Sequence, residues 1–108
     1  IMHGPHVPRG LELYKNRIIV YSLGNFMTGK GISLAGYAAV APLVRIEIHP
    51  SGEFASGQIV PFVQKRDPQR IEVDQSRRGI ILMKKLSLQE FPDSSLEIKD
   101  DGILSVQQ

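Results

Sequence analysis

A strict alternation of apolar and polar side chains over residues 44–49 constrains the fold more than any other feature of this sequence. The apolar positions are Val44, Ile46 and Ile48, and the polar positions between them are Arg45, Glu47 and His49. Successive side chains of a β-strand point to opposite faces of its sheet, so this pattern predicts a strand. A Pro-Ser-Gly turn follows at residues 50–53, and a second apolar run extends from Phe54 to Val63. Together the two runs predict an antiparallel hairpin.

Two further pairs of short apolar runs also predict hairpins. Residues 11–14 and 17–23 flank a polar Lys-Asn turn, and residues 96–99 and 103–106 flank an Asp-Asp-Gly turn. The run over residues 17–23 is rich in β-branched side chains and almost continuously apolar. Runs of that kind are typical of strands that are buried on both faces.

One helix is predicted, over about residues 74–88. Apolar residues from Val73 onward fall near helical spacing, and Asp74 or Ser76 can cap the N-terminus. Two consecutive lysines lie toward the C-terminal end, where cations interact favourably with the helix dipole. The fold class predicted by all these elements is α+β, with mostly antiparallel β-strands and one main helix.

The composition excludes several classes of protein. A chain of 108 residues fits a single small domain. Its 13 Lys and Arg against 11 Asp and Glu give a net charge of +2, in small groups that acids separate, which favours a solvated surface and no nucleic-acid partner. No apolar run approaches the roughly 20 residues of a membrane span. The absence of cysteine excludes disulfides and thiolate metal sites.

Two histidines near the start of the chain are candidate metal ligands. His3 and His6 flank a Gly-Pro turn, so both imidazoles can face one target. A catalytic metal site takes three or more protein ligands, so the remaining ligands have to come from elsewhere. The alternative interpretation is a pair of surface histidines at a chain end. Because the chain opens on Ile1 and not on a start methionine, we interpret it as a piece of a longer protein.

The glycine-rich segment from Gly24 to Gly36 predicts a loop at the end of a strand. Asn25, at its start, can orient a ligand or a phosphate oxygen, or it can hold its own loop closed through a turn hydrogen bond. Ser22 lacks the Gly-x-Ser-x-Gly surroundings of a hydrolase nucleophile. Lys30 lacks the spacing of a phosphate-binding loop.

Three blocks of the sequence resemble a known family in their order and spacing. The blocks are His3-Gly4-Pro5-His6-Val7, Glu12-Leu13-Tyr14-Lys15 and Ile19-Val20-Tyr21-Ser22-Leu23-Gly24-Asn25-Phe26. They are similar to the C-terminal part of bacterial capsule-synthesis proteins of the CapA or PgsA type. That family is linked to poly-γ-glutamate production and resembles calcineurin-like metallophosphoesterases. The resemblance covers most of residues 2–64 and extends loosely over the remainder.

The resemblance implies that residues 1–108 are the C-terminal portion of a larger metallophosphoesterase-like domain with a four-layer αββα sandwich. His3 and His6 would match the last metal-binding motif, and Asn25 would be catalytic. The upstream part of the same chain would supply the other ligands for divalent Mn, Fe or Zn ions. The parent would then be a hydrolase of phosphorylated substrates, exported or membrane-associated in bacteria, and the piece alone would be inactive.

Two other functions fit the same residues. The chain can be a non-enzymatic β-rich module of a capsule-assembly complex that binds a partner or an anionic polymer. Polyglutamate would be attracted to Arg9, Lys15, Arg17 and Lys30 if these side chains share a face. The chain can also be a structural core without a function of its own. Strands that have lost their neighbours then predict self-association into a dimer or a larger species.

Overall fold

The computed structural model describes residues 7–24, 39–65 and 70–107. Within these ranges the chain forms eight strands and one helix. In chain order they are β1 (Leu11–Tyr14), β2 (Arg17–Val20), β3 (Leu43–Ile48), β4 (Phe54–Val60), β5 (Phe62–Lys65), β6 (Arg70–Val73), α1 (Arg78–Glu90), β7 (Leu96–Ile98) and β8 (Ile103–Val106). All strand pairs are antiparallel, so the predicted α+β fold class is confirmed. No helix among the described residues is long and apolar enough to cross a membrane.

The β1–β2 hairpin forms as predicted. Leu11 lies opposite Val20 and Tyr14 opposite Arg17, and the two turn residues have positive φ angles of 52° and 63°. A two-residue type I′ turn requires such angles. The predicted burial of the second strand on both faces is wrong, because β2 has β1 as its sole strand neighbour among the described residues and buries Val20 alone of its four residues.

A four-stranded antiparallel sheet in the order β3-β4-β8-β7 forms the largest part of the fold. The hairpin predicted around the turn at residues 50–53 is confirmed, since β3 pairs with β4. Val44 and Ile46 pack against the core, whereas the charged residues that alternate with them are exposed. Near the turn the register skips Ala55, which makes it the extra residue of a β-bulge.

The apolar run that begins at Phe54 divides at Pro61 and does not continue as one strand. Proline has no N–H group to donate to a strand ladder, so β4 ends one residue before it and β5 begins one residue after it. β5 pairs with β6 in a separate two-stranded sheet. Val73, which falls near the helical spacing of the apolar residues after it, is the last residue of β6.

Helix α1 begins at Arg78, four residues later than predicted, and ends at Glu90. Asp74 is the reason, because its carboxylate accepts hydrogen bonds from the backbone N–H groups of Ser76 at 3.1 Å and Arg78 at 3.4 Å. These bonds form a turn ahead of the helix. Arg77 then has a φ of 55°, a left-handed value that does not occur inside a right-handed helix. Asp74 thus caps a first-turn N–H group from outside the helix.

The two lysines expected near the C-terminal end of the helix lie in its middle. Lys84 and Lys85 are followed by five more residues of α1, and the last turn carries no basic residue. The favourable effect of the dipole falls off within one turn, so the predicted dipole interaction is wrong. Lys84 instead forms an ion pair with Asp100, with 2.8 Å between Nζ and Oδ1.

The β7–β8 hairpin is also confirmed, and its turn contacts the middle of the sheet. Gly102 has a φ of 91°, and its carbonyl oxygen accepts a hydrogen bond from the N–H group of Ile59 at 2.7 Å. A Cβ atom at Gly102 would lie 2.3 Å from the carbonyl oxygen of Ile59. The position therefore requires glycine both for its backbone conformation and for the close approach of β4.

One apolar core joins the N-terminal hairpin, the helix and the four-stranded sheet. Its buried members are Leu11, Val20, Phe54, Ile59, Ile80, Met83, Ile98 and Leu104. The N-terminal hairpin is therefore anchored in the same core as the sheet. The four-layer αββα sandwich implied by the resemblance stays a prediction.

Candidate functional site

The predicted site residues His3, His6 and Asn25, and also Lys30, lie outside the described residues. His6 directly precedes Val7, and Asn25 directly follows Gly24. The described segments 7–10 and 21–24 are therefore the parts of the fold to which the candidate residues are attached. Near the candidate site, the structure therefore describes the geometry of these two segments.

The two segments run side by side and extend the β1–β2 ladder beyond both strands. Pro8 and Leu23 form an antiparallel bridge. The N–H group of Arg9 donates to the carbonyl oxygen of Ser22 at 3.1 Å, and the N–H group of Tyr21 donates to that of Gly10 at 3.3 Å. This end of the hairpin is thus a paired structure.

Ser22 and Gly24 hold the very end of this pair together. Ser22 is fully buried, and its Oγ donates to the carbonyl oxygen of Val7 at 3.0 Å and accepts from the N–H group of Gly24 at 3.2 Å. Gly24 has a φ of 71°, and a Cβ atom there would lie 3.0 Å from Cδ of Pro8. Sequence reasoning considered Ser22 only as a nucleophile. The signal in the sequence for this bridging role was a small polar residue directly before Leu23 and Gly24.

Tyr21 connects the same end of the hairpin to the end of the helix. Its hydroxyl donates to Oε2 of Glu12 at 2.8 Å, and its ring stacks on Phe91 with 4.9 Å between the centroids. The hydrogen bond to Glu12 is the main cause that raises the pKa of the Tyr21 hydroxyl above its usual value. Tyr21 is half-buried. Tyr14, beside the hairpin turn, is exposed.

The outer edge of β1 is closed by two serine side chains, one in helix α1 and one in the loop after it. The N–H group of Leu11 donates to Ser87 Oγ at 2.8 Å, and the N–H group of Leu13 donates to Ser94 Oγ at 3.0 Å. Ser87 Oγ also donates to the carbonyl oxygen of Met83 at 2.6 Å. The serine hydroxyl groups thus accept the hydrogen bonds that these backbone N–H groups would otherwise donate to a further strand. Sequence reasoning did not identify these two serines.

The described basic residues of the polymer-binding hypothesis lie at the two ends of the hairpin. Arg9, beside the candidate site, forms an ion pair with Glu90 at 2.6 Å. Lys15 and Arg17 flank the opposite end, where β1 turns into β2. With a rise of about 3.3 Å per residue, the six residues from Arg9 to Lys15 span roughly 20 Å. Arg9 therefore does not form one compact basic patch with the other two.

The described residues include a groove but not a metal-binding cluster. The groove has a volume of about 400 Å³ and lies between the end of α1 and β7, where Leu11, Phe91 and Ile98 are among its lining residues. In the described ranges, no three histidine, aspartate or glutamate side chains are grouped so that they could hold a metal ion. The predicted ligands His3 and His6 lie outside those ranges.

The fold and these contacts define a mostly antiparallel α+β chain whose N-terminal hairpin carries the candidate site. Comparison with known protein families gives a match that includes this part of the chain. The family described as bacterial capsule synthesis protein PGA_cap matches residues 1–30. Two uncharacterized proteins of Sinorhizobium fredii (strain NBRC 101917 / NGR234), y4sH and y4uA, are each 71% identical to the chain over 24 residues.

These matches are short in relation to the proteins involved. The 24 residues are 22% of this chain and span 5% of the length of each Sinorhizobium relative. No solved structure matches the chain. The resemblance to capsule-synthesis proteins is therefore confirmed for residues 1–30, and the wider resemblance stays a prediction.

Proposed function

We propose that this chain is the C-terminal part of a capsule or poly-γ-glutamate biosynthesis protein with a metallophosphoesterase-like domain. In this proposal His3 and His6 are the last metal ligands of the site, and Asn25 orients a phosphate oxygen of the substrate. The similarity of residues 1–30 to the capsule-synthesis family supports it, because that segment includes all three residues.

The contact between Val7 and Gly24 is the observation that carries the proposal. A Cβ atom at Gly24 would lie 3.2 Å from the carbonyl carbon of Val7, so the two backbones touch. His6 directly precedes Val7, and Asn25 directly follows Gly24. Each is one peptide bond from its neighbour, and consecutive Cα atoms are about 3.8 Å apart. This geometry supports a shared site for the histidine motif and the asparagine.

The residue types suit the chemistry of metal-assisted phosphate hydrolysis. Neutral imidazoles are ligands for divalent Mn, Fe or Zn, and such a metal, when bound, would supply a hydroxide nucleophile near neutral pH and polarise a phosphoryl oxygen. The asparagine side chain can donate from its NH₂ group to a phosphate oxygen. The upstream part of the same chain contributes the remaining ligands in this proposal.

The test is the metal content of the complete gene product that carries this sequence. His3→Ala and His6→Ala should each weaken binding of manganese or zinc by at least the roughly 10–100-fold that loss of even an outer-shell partner costs. His49→Ala is the matched control, because His49 is exposed at the β3–β4 turn. Mass spectrometry of the purified proteins measures the bound metal.

Asn25→Ala separates metal binding from catalysis. We expect this variant to retain its metal and to hydrolyse p-nitrophenyl phosphate more slowly than the unmodified protein, since the asparagine contacts the phosphate and not the metal. Equal metal content in the unmodified protein and in both histidine variants would contradict the proposal. That result would favour a non-enzymatic module of a capsule-assembly complex.

A further inference from the structure

Strand β3 has an edge that no described part of the chain covers. It is the first strand in the order β3-β4-β8-β7 and pairs with β4 alone among the described residues. The strand at the other edge of the sheet, β7, lies against β1. β3 is therefore the edge at which the sheet can be extended.

The hydrogen-bond pattern determines which backbone groups of β3 face outward. The N–H group of Ile59 on β4 donates to Gly102, on the side of the sheet away from β3. Backbone groups of successive residues in a strand point to alternate sides, so Gln58 faces β3 and bonds with its partner Arg45. Arg45 thus directs its N–H and C=O groups toward β4. Val44 and Ile46, the residues on either side of it, direct theirs toward the open edge.

The sequence of this edge is complementary to itself. When β3 is placed antiparallel to a second copy with Ile46 opposite Ile46, Arg45 of each copy lies opposite Glu47 of the other. In the neighbouring registers, centred on Arg45 or on Glu47, like charges lie opposite each other, and such pairs are unfavourable. Charge therefore selects the register that is centred on Ile46.

We propose that two copies of the chain associate through β3 in this register and form one continuous eight-stranded sheet. The outward N–H and C=O groups of Ile46 exchange hydrogen bonds across the twofold axis. The Arg45 and Glu47 side chains face each other in pairs without backbone hydrogen bonds, where side chains approach most closely. On the opposite face, the side chain of Ile48, which is 60% exposed, comes to lie against Val44 of the second copy.

This pairing does not depend on the proposed metal site. It uses the sheet at residues 43–48, whereas the candidate site belongs to the hairpin at residues 7–24. The occupant is a second copy because the exposed charges of the strand match those of the same strand in reverse. A strand of another protein would need the same arrangement of Arg and Glu around an apolar residue to match these charges.

The test is a charge-reversal experiment on the 108-residue chain, with sedimentation equilibrium over a range of concentrations up to millimolar. The unmodified chain should form a dimer. Arg45→Glu and Glu47→Arg should each weaken it by about tenfold or more, because each places like charges opposite each other. The double variant R45E/E47R should restore the dimer, which also shows that the single variants do not fail through misfolding.

Glu97→Arg is the matched control, because Glu97 is exposed on β7, at the other edge of the sheet. It should leave the dimer unchanged. A chain that stays monomeric at millimolar concentration would overturn the proposal. So would a dimer that neither single reversal weakens, or one that the double variant fails to restore.

Discussion

Two strand edges of this molecule differ in whether their outward backbone groups have hydrogen-bond partners. The edge of β1 is closed by the hydroxyl groups of Ser87 and Ser94, which accept hydrogen bonds from Leu11 and Leu13. The edge of β3 has no such cover among the described residues and carries exposed charges. A sheet edge can therefore be closed by two small side chains from a helix and the loop after it, with no additional strand.

Burial explains the difference. β1 lies beneath the end of α1, and Ser87 is only 8% exposed, so an unpaired N–H group there would be cut off from water. Along β3, water can satisfy the backbone groups while the strand is unpaired. A closed edge is required in the first case, whereas in the second an open edge costs little and leaves a surface for association.

Ser87→Ala should have the largest effect, because it opens the closed edge in a buried place. The N–H group of Leu11 would lose its acceptor, and an unsatisfied buried donor costs about 1–3 kcal/mol. Urea denaturation should show a loss of unfolding free energy of this size. Ser105→Ala on β8 is the control, because the structure shows no side-chain hydrogen bond from Ser105 to a described residue. Equal losses of unfolding free energy in both variants would show that the Ser87–Leu11 hydrogen bond does not stabilise the fold more than an ordinary serine does.

Asp74→Asn should have an intermediate effect, because it weakens the start of the helix that closes the edge. Asp74 is buried and forms an ion pair with Arg78 at 2.9 Å. The asparagine keeps an acceptor for Ser76 but loses the charge, so we expect a loss of about 1–2 kcal/mol at pH 7.

The pH dependence of this loss is a sharper test. Burial on its own would raise the pKa of the Asp74 carboxyl, but the hydrogen bonds from Ser76 and Arg78 outweigh it and lower the pKa below its usual value. The carboxylate therefore contributes stability above about pH 4, and this contribution disappears as the pH falls through the lowered pKa. Unfolding free energies of the two proteins should converge in acid. A difference that is constant from pH 7 to pH 2 would contradict this account.

Ile48→Lys should have the smallest effect on stability and a clear effect on association. The exposed side chain has little packing to lose, so the free energy of unfolding should change by no more than about 0.5 kcal/mol. A lysine on an edge strand disfavours pairing with another strand. Sedimentation should therefore show weaker dimers at unchanged stability. A marked loss of stability would mean that Ile48 packs within the monomer.

The local pattern of the sequence predicted three hairpins correctly because alternation and turn residues act over short distances. The Asp-Asp-Gly turn before Ile103 and the Pro-Ser-Gly turn before Phe54 both lie where expected. The start of the helix was predicted four residues early, because Asp74 binds N–H groups of a preceding turn. The strand that ends at Val73 was not predicted, since Val73 also falls near the helical spacing of the apolar residues after it.

For the candidate site, the sequence indicated which residue types suit a metal and which family they resemble. The joining of the two segments by Ser22 and Gly24 could not be predicted, because a hydroxyl that bridges Val7 and Gly24 needs both in place. Ser87 and Ser94 went unnoticed for the same reason. Each bonds a strand that is about eighty residues away in the chain.

The sequence by itself determined the antiparallel α+β class, the hairpin turns and the resemblance of the first 30 residues to capsule-synthesis proteins. All of these depend on neighbouring residues. The tertiary structure decided which strand edges are closed, which serine bridges which backbone, and that segments 7–10 and 21–24 form one paired end. These features join residues that are distant in the chain, and only packing of the core brings such residues together.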